Sequence, residues 1–161
     1  MISPAEMTGL RQAYWEATKS PDPSNQNGAV LVGHSISLIA DCNRFPYGFK
    51  GNIEDRDEKL FYIQHAERAV ILAAAARGLG TDGLVLVCPW VACGDCAKAV
   101  IFAKIKRVVG HKQRMDLTPE RWKENVEKAN QYLIDCGVEL EFYDGELGCE
   151  PIIVNGKLWQ P

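Results

Sequence analysis

His65 and Glu67 lie two residues apart in "HAERAVIL", and Cys93 and Cys96 lie three apart in "ACGDCAKAV", twenty-eight residues after His65. A lone His-x-Glu or a lone Cys-x-x-Cys carries little meaning, because capping, core and redox pairs look the same. Together they supply an imidazole, two thiolates and a carboxylate. Cysteines at i and i+3 share one face of a helical turn, so both sulfurs reach one ion. One nitrogen and two soft sulfurs suit zinc. Three protein ligands leave a fourth position open, which separates catalytic from structural zinc. Glu67 stands too near His65 to be an obvious fourth ligand and is better placed to carry a proton. Cys88 is the rival: as a fourth ligand it closes a Cys3His site with no room for water.

The elements around these groups must hold them. "SPAEMTGLRQAYWEATKS" opens as a helix, with Ser3 as cap, Pro4 at the first position and Glu6 completing a capping box. "PDPSNQNG" breaks it. "AVLVGH" and "SISLIADC" read as two strands around a tight turn that contains His34. Residues 43–64 form a polar, irregular connection, long enough to mark a functional segment. "HAERAVILAAAARG" reads as a buried helix ending at Gly78. "GLVLVC" is a short strand, "CGDCAKAVIFAKI" a helix and "KRVVGH" a strand. "LTPERWKENVEKANQYLIDCG" is a helix with Thr118 as cap, Pro119 at its start and Gly137 at its end. "VELEFYD" is the last strand, and residues 145–161 show no clear period.

The order α-β-β-α-β-α-β-α-β predicts one α/β domain over residues 1–161. Its mixed five-stranded sheet begins with an antiparallel hairpin and ends in parallel strands with right-handed crossovers. His65 and Cys93 both fall at helix starts. Free N–H groups and positive dipole ends there favour thiolate over thiol.

The bulk properties are those of an ordinary globular chain: 161 residues, 47% apolar and 24% charged. No apolar run approaches the roughly 18 residues of a membrane span. The N-terminus lacks the pattern of a signal peptide, so the expected compartment is the cytoplasm. A net charge of −3 argues against a nucleic-acid partner. The cysteine cluster at 88, 93 and 96 reads as metal-binding or catalytic before it reads as disulfides. His34 and His111 read as solvated, and Cys42, Cys136 and Cys149 as packed apolar groups.

The combined motifs resemble the zinc-dependent cytidine deaminase superfamily, whose signature is His-x-Glu followed by Pro-Cys-x-x-Cys. Ala92 stands where that proline is usual. The resemblance covers about residues 1–145 and is closest to the deoxycytidylate (dCMP) deaminases. "ADCNRFPYG" is similar to their nucleotide loop at Asn43, Phe45, Pro46 and Gly48, with Arg44 in place of a usual glycine and Asp41-Cys42 in place of Gly-Tyr. "EKLFYIQHAERAVI" matches at Lys59 and Tyr62.

The resemblance implies a three-layer αβα cytidine-deaminase-like fold with parallel last strands. It implies Zn2+ on His65, Cys93 and Cys96, with Glu67 as the catalytic proton carrier. The implied reaction is hydrolysis of a cytosine nucleotide, dCMP to dUMP, with release of ammonia. Substrate contacts are expected from Asn43, Arg44, Lys59, Tyr62, Ala66 and Trp90. The phosphate is expected on cations of the long loop: Arg44, Lys50, Arg56 or Lys59. The family also implies a homo-oligomer, with a hexamer possible. Three alternatives stay open at this level: a tRNA adenosine deaminase, which shares the Asn-Arg pair of "CNRF"; a deaminase of another base or nucleoside, such as a guanine or pterin-type substrate; and a non-catalytic zinc-stabilised module that would need Cys88.

Overall fold

Strand β1 (Gly28–Gly33) is apolar along most of its length because both of its faces are covered. Ala29 and Leu31 enter one core, while Val30 and Val32 enter another on the opposite side. This alternation divides the molecule into three layers. The structure is a computed structural model and describes residues 1–33 and 35–161; His34, placed by sequence in the hairpin turn, lies outside the described residues.

The sheet has the order β2-β1-β3-β4-β5. Strand β2 (Ile36–Cys42) and β3 (Val85–Val87) both run antiparallel to β1, and β1 carries an irregularity at Leu31/Val32. Strands β3, β4 (Arg107–His111) and β5 (Glu139–Tyr143) are parallel, as expected. Helices α3 (Ala66–Ala76), α4 (Gly94–Phe102) and α6 (Glu120–Asp135) cover one face. Helix α1 (Pro4–Ala17) covers the other, together with a small hairpin of β6 (Ile152–Val154) and β7 (Lys157–Trp159). The fold class is the one expected. No helix among the described residues is long and apolar enough to cross a membrane.

Helix α1 starts as its sequence requires. Ser3 Oγ accepts from the Glu6 amide at 3.2 Å, and Glu6 Oε2 accepts from the Ser3 amide at 2.6 Å. Other local expectations are corrected. The long connection contains helix α2 (Arg56–Tyr62), capped by Asp55, whose carboxylate accepts from the Asp57 and Glu58 amides at 3.0 and 2.9 Å. A short helix α5 (Lys112–Asp116) follows β4. The tail is ordered as β6–β7, turning at Asn155-Gly156 with φ of +52° and +76°, a pair suited to a tight hairpin.

Thr118 does not cap α6: Pro119 takes the cap position, and Thr118 Oγ1 instead accepts from Trp90 Nε1 at 2.9 Å. His111 is not solvated but buried, with Nδ1 against the Tyr14 hydroxyl and Nε2 against the Gly145 carbonyl. Cys136 is exposed rather than packed.

Candidate active site

His65 is the N-cap residue of α3 and Cys93 that of α4. Neither side chain caps its own helix, so both turn toward one another. Cys96 follows one turn later. His65 Nδ1 lies 3.4 Å from Cys93 Sγ and 3.5 Å from Cys96 Sγ, and the three ligand atoms all fall within 4.8 Å of one another. Tetrahedral zinc with bonds of about 2.3 Å to sulfur and about 2.0 Å to nitrogen places S and N roughly 3.6 Å apart. The donor set and its spacing therefore fit zinc. Cys88 stands outside this group, buried, with its sulfur accepting from Asn27 Nδ2 at 3.2 Å. The closed Cys3His arrangement is not formed.

The loop that carries the cysteines is held from α6. Asn130 Oδ1 accepts from the Ala92 amide at 3.3 Å, and Asn125 Oδ1 from the Gly94 amide at 3.0 Å. A proline at position 92 has no N–H and could not make the first bond. The departure at Ala92 thus leaves both sulfurs in place.

Glu67 sits in the first turn of α3 and is 2% exposed. Burial pushes its carboxyl up to about 7; the positive His65 opposes this and the Cys93 thiolate adds to it. The Cys93 thiol is held down to about 4 by a hydrogen bond from Cys96, against burial, with His65 assisting. The Cys96 thiol, the donor in that pair, is pushed up. Burial works against the His65 imidazolium, yet its hydrogen bond with Cys93 and the charge of Glu67 keep its pKa raised. One carboxylate is thus poised near neutrality beside a nitrogen and two sulfurs.

His65, Glu67 and Cys93 line a cavity of about 230 Å³, with Cys96 buried behind them. Of the residues expected at the substrate, Asn43, Lys59, Ala66 and Trp90 all line it. Asn43 is committed to the wall: its Oδ1 accepts from the Asn27 amide at 2.8 Å and its Nδ2 donates to the Asn25 carbonyl at 2.9 Å. Lys59 Nζ is buried in an ion pair with Asp22 at 3.0 Å and reaches Ser24 Oγ at 3.1 Å.

Two of the residues expected at the substrate lie outside this cavity. Arg44 is drawn away by Asp41, at 2.8 and 2.9 Å, into a separate surface groove beside Leu72. Tyr62 packs half-exposed against Phe49 and lines no part of the cavity. Of the cations proposed for a phosphate, Lys50 is also outside, while Arg56 stands exposed at the rim.

Sequence reasoning missed several lining residues. Asp22, Asn25 and Asn27 come from "PDPSNQNG", which had read only as a helix breaker; its density of Asp and Asn was the available signal. Arg121 and Trp122 come from the start of α6, far away in sequence.

An α/β sandwich with a His/Cys/Cys group at the edge of a cavity and a buried carboxylate in the wall of that cavity has the build of a cytidine-deaminase-like enzyme. Residues 5–112 match the model of the cytidine and deoxycytidylate deaminase zinc-binding region, and the chain belongs to that family of deaminases. A protein of Aliivibrio fischeri, described as an uncharacterized deaminase in the luxG 3' region, is 30% identical over 142 residues, 87% of this chain and 94% of the relative. Mouse deoxycytidylate deaminase is 32% identical over 107 residues, 60% of this chain and 58% of that protein. The crystal structure of dCMP deaminase from the cyanophage S-TIM5 shares the fold, with a TM-score of 0.68 at 23% identity over 89% of this chain and 100% of that one.

Proposed function

We propose that the chain is a zinc-dependent hydrolytic deaminase of a cytosine nucleotide, converting dCMP to dUMP and ammonia. The observation that carries this reading is Glu67: a buried carboxyl two residues beyond the His65 ligand position and in the same cavity as His65 and Cys93. His65, Cys93 and Cys96 would hold the zinc. When bound, zinc supplies Lewis acidity that brings the pKa of water toward about 7.

Glu67 takes a proton from water and delivers it to the ring nitrogen beside the amino-bearing carbon. The hydroxide that remains adds to that carbon. Glu67 then takes the proton of the new C–OH group and passes it to the amino group; the C–N bond breaks, ammonia leaves, and the C–OH becomes the carbonyl of uracil. A carboxyl near neutral pKa serves both transfers, because its proton affinity matches the working pH. Trp90 and Ala66 wall the cavity, and the Asp22–Lys59 pair fixes one side of it. The mouse relative, a deoxycytidylate deaminase by name, supports the choice of nucleotide. A homo-oligomer is part of the same proposal, since Phe102 of α4 is 84% exposed and Leu72 of α3 is 55% exposed.

The test is ammonia release from zinc-loaded protein on dCMP, CMP, deoxycytidine, cytosine, guanine and a tRNA anticodon stem, with Glu67→Ala as blank. Turnover of dCMP that vanishes in the blank supports the proposal. Turnover of guanine or the tRNA stem alone overturns the cytosine assignment. Equal efficiency on deoxycytidine and dCMP removes the phosphate from recognition.

A further inference from the structure

Arg114 is the largest side chain fully withdrawn from solvent among the described residues. It belongs to α5, just beyond the C-terminal end of β4. In α/β sheets ligands gather at that end of the parallel strands. A guanidinium has five N–H donors and no acceptor. Arg114 Nη2 donates to Asn25 Oδ1 at 3.1 Å, while Nε and Nη1 have no hydrogen-bond partner among the described residues. The guanidinium carbon lies 4.3 Å from the centre of the Trp90 ring.

No carboxylate pairs with Arg114 among the described residues. Its titratable neighbours are Tyr14 of α1 and Cys88 past the end of β3, and burial keeps both protonated. Burial pulls Arg114 itself down to about 10, so it stays charged at neutral pH. Other inner cations are matched: Lys59 by Asp22, and Arg107 by Glu6, Glu139 and Glu141. A buried charge without a counter-charge is unfavourable. The same weakly polar surroundings let its field act strongly on nearby charge. Both groups it touches, Asn25 and Trp90, line the cavity.

We propose that Arg114 is a specificity-determining residue: its unmatched charge, set behind Trp90 and Asn25, makes the cavity select a phosphate-bearing anion over the neutral counterpart. The identity of the ligand rests on the nucleotide reading above; the sign of its charge does not. Arg114 acts through the wall and takes no part in the bond changes. A purely structural Arg114, propping Trp90, would affect nucleotide and nucleoside alike.

The experiment measures dissociation constants by calorimetry for dUMP, deoxyuridine and inorganic phosphate, using zinc-loaded wild type, Arg114→Met and Arg114→Lys. In Arg114→Met the preference for dUMP over deoxyuridine falls about tenfold or more, while deoxyuridine binding stays within about threefold. Arg114→Lys keeps the preference at pH 7 and loses it toward pH 9. A buried ammonium sheds its proton where a guanidinium does not. Wild type holds its preference across that range, because the phosphate is already doubly ionised above its second pKa of about 6.

Equal weakening of dUMP and deoxyuridine, or an unchanged preference in Arg114→Met, overturns the proposal. Should Arg114→Met fail to fold, the lysine variant decides: a preference that does not change with pH, or is already lost at pH 7, overturns it. If wild type binds neither dUMP nor deoxyuridine, the cytosine reading fails and inorganic phosphate decides the charge. Saturable phosphate binding that Arg114→Lys loses toward pH 9 supports the role, and no phosphate binding, or none of that loss, overturns it.

Discussion

Glu67 is the residue on which chemistry and stability pull apart. Glu67→Gln removes the proposed proton carrier and leaves the three metal-type ligands untouched. Turnover should fall about 10³-fold with zinc content unchanged, a size typical of a lost general acid–base group. Stability should move the other way. The folded pKa of about 7 lies above the ordinary 4.5, so the folded state holds a proton that the unfolded state has released. In zinc-free protein the destabilisation from Glu67 therefore grows as pH rises from 4.5 through 7, to at most roughly 3 kcal/mol. Melting curves of wild type and Glu67→Gln without zinc should diverge from pH 5 to pH 8, with the glutamine variant the more stable. Coincident curves would mean that Glu67 is not buried as an acid. Arg44 offers the contrast. Its pair with Asp41 is exposed and in another groove, so Arg44→Ala should change stability by no more than about 0.5 kcal/mol and leave kcat/KM for dCMP unaltered.

The β6–β7 hairpin shows how an element far from the chemistry can shape the cavity. It grips the 22–27 segment from behind: Gln26 N donates to the Ile153 carbonyl at 2.9 Å, Gly156 N to the Ser24 carbonyl at 2.8 Å and Asn155 N to Asn25 Oδ1 at 3.1 Å. Ser24 and Asn25 line the cavity. Gly156 has φ of +76°, where a side chain costs about 1–2 kcal/mol. Gly156→Ala should therefore lower Tm by several degrees and raise KM with kcat nearly unchanged, since the wall loosens while Glu67 and the ligands stay put. A fall in kcat alone would contradict this division of labour.

Across the whole molecule, two ties set the response to metal and acid. The three candidate ligands join the start of α3 to that of α4. Removing zinc with a chelator should lower Tm and abolish turnover, and adding zinc back should restore both. On the other side of the sheet, Arg107 of β4 binds Glu6 of α1 and Glu139 and Glu141 of β5. Burial works against the ionised Glu6, but hydrogen bonds from Ser3 and the charge of Arg107 more than offset it and hold its pKa low. A depressed carboxyl stabilises fully above its unfolded value near 4.5 and loses this as pH falls through the folded value. Glu6→Gln should lose stability at pH 7 but little in strong acid, which urea denaturation at the two pH values measures.

The primary structure alone was enough to order the main strands and the four longer helices, because apolar periodicity and caps are local. Ser3-x-x-Glu6 and the Pro119/Gly137 ends of the α6 run needed no tertiary context. The four chemical groups were legible for the same reason: His65, Glu67, Cys93 and Cys96 stand in short motifs at helix starts. Two other local signals were present but weaker, the Asp55 cap of α2 and the Asn155-Gly156 turn. What needed the tertiary structure was which charges remain unmatched. Lys59 looked free until Asp22 came beside it, thirty-seven residues earlier in the chain. Arg44 looked available until Asp41 drew it away. Arg114 carried no local mark at all, since burial and the absence of a carboxylate partner arise only when α1, β3, β4 and the 22–27 segment close around it. Motifs are read along the chain, but electrostatic selectivity depends on distances through space.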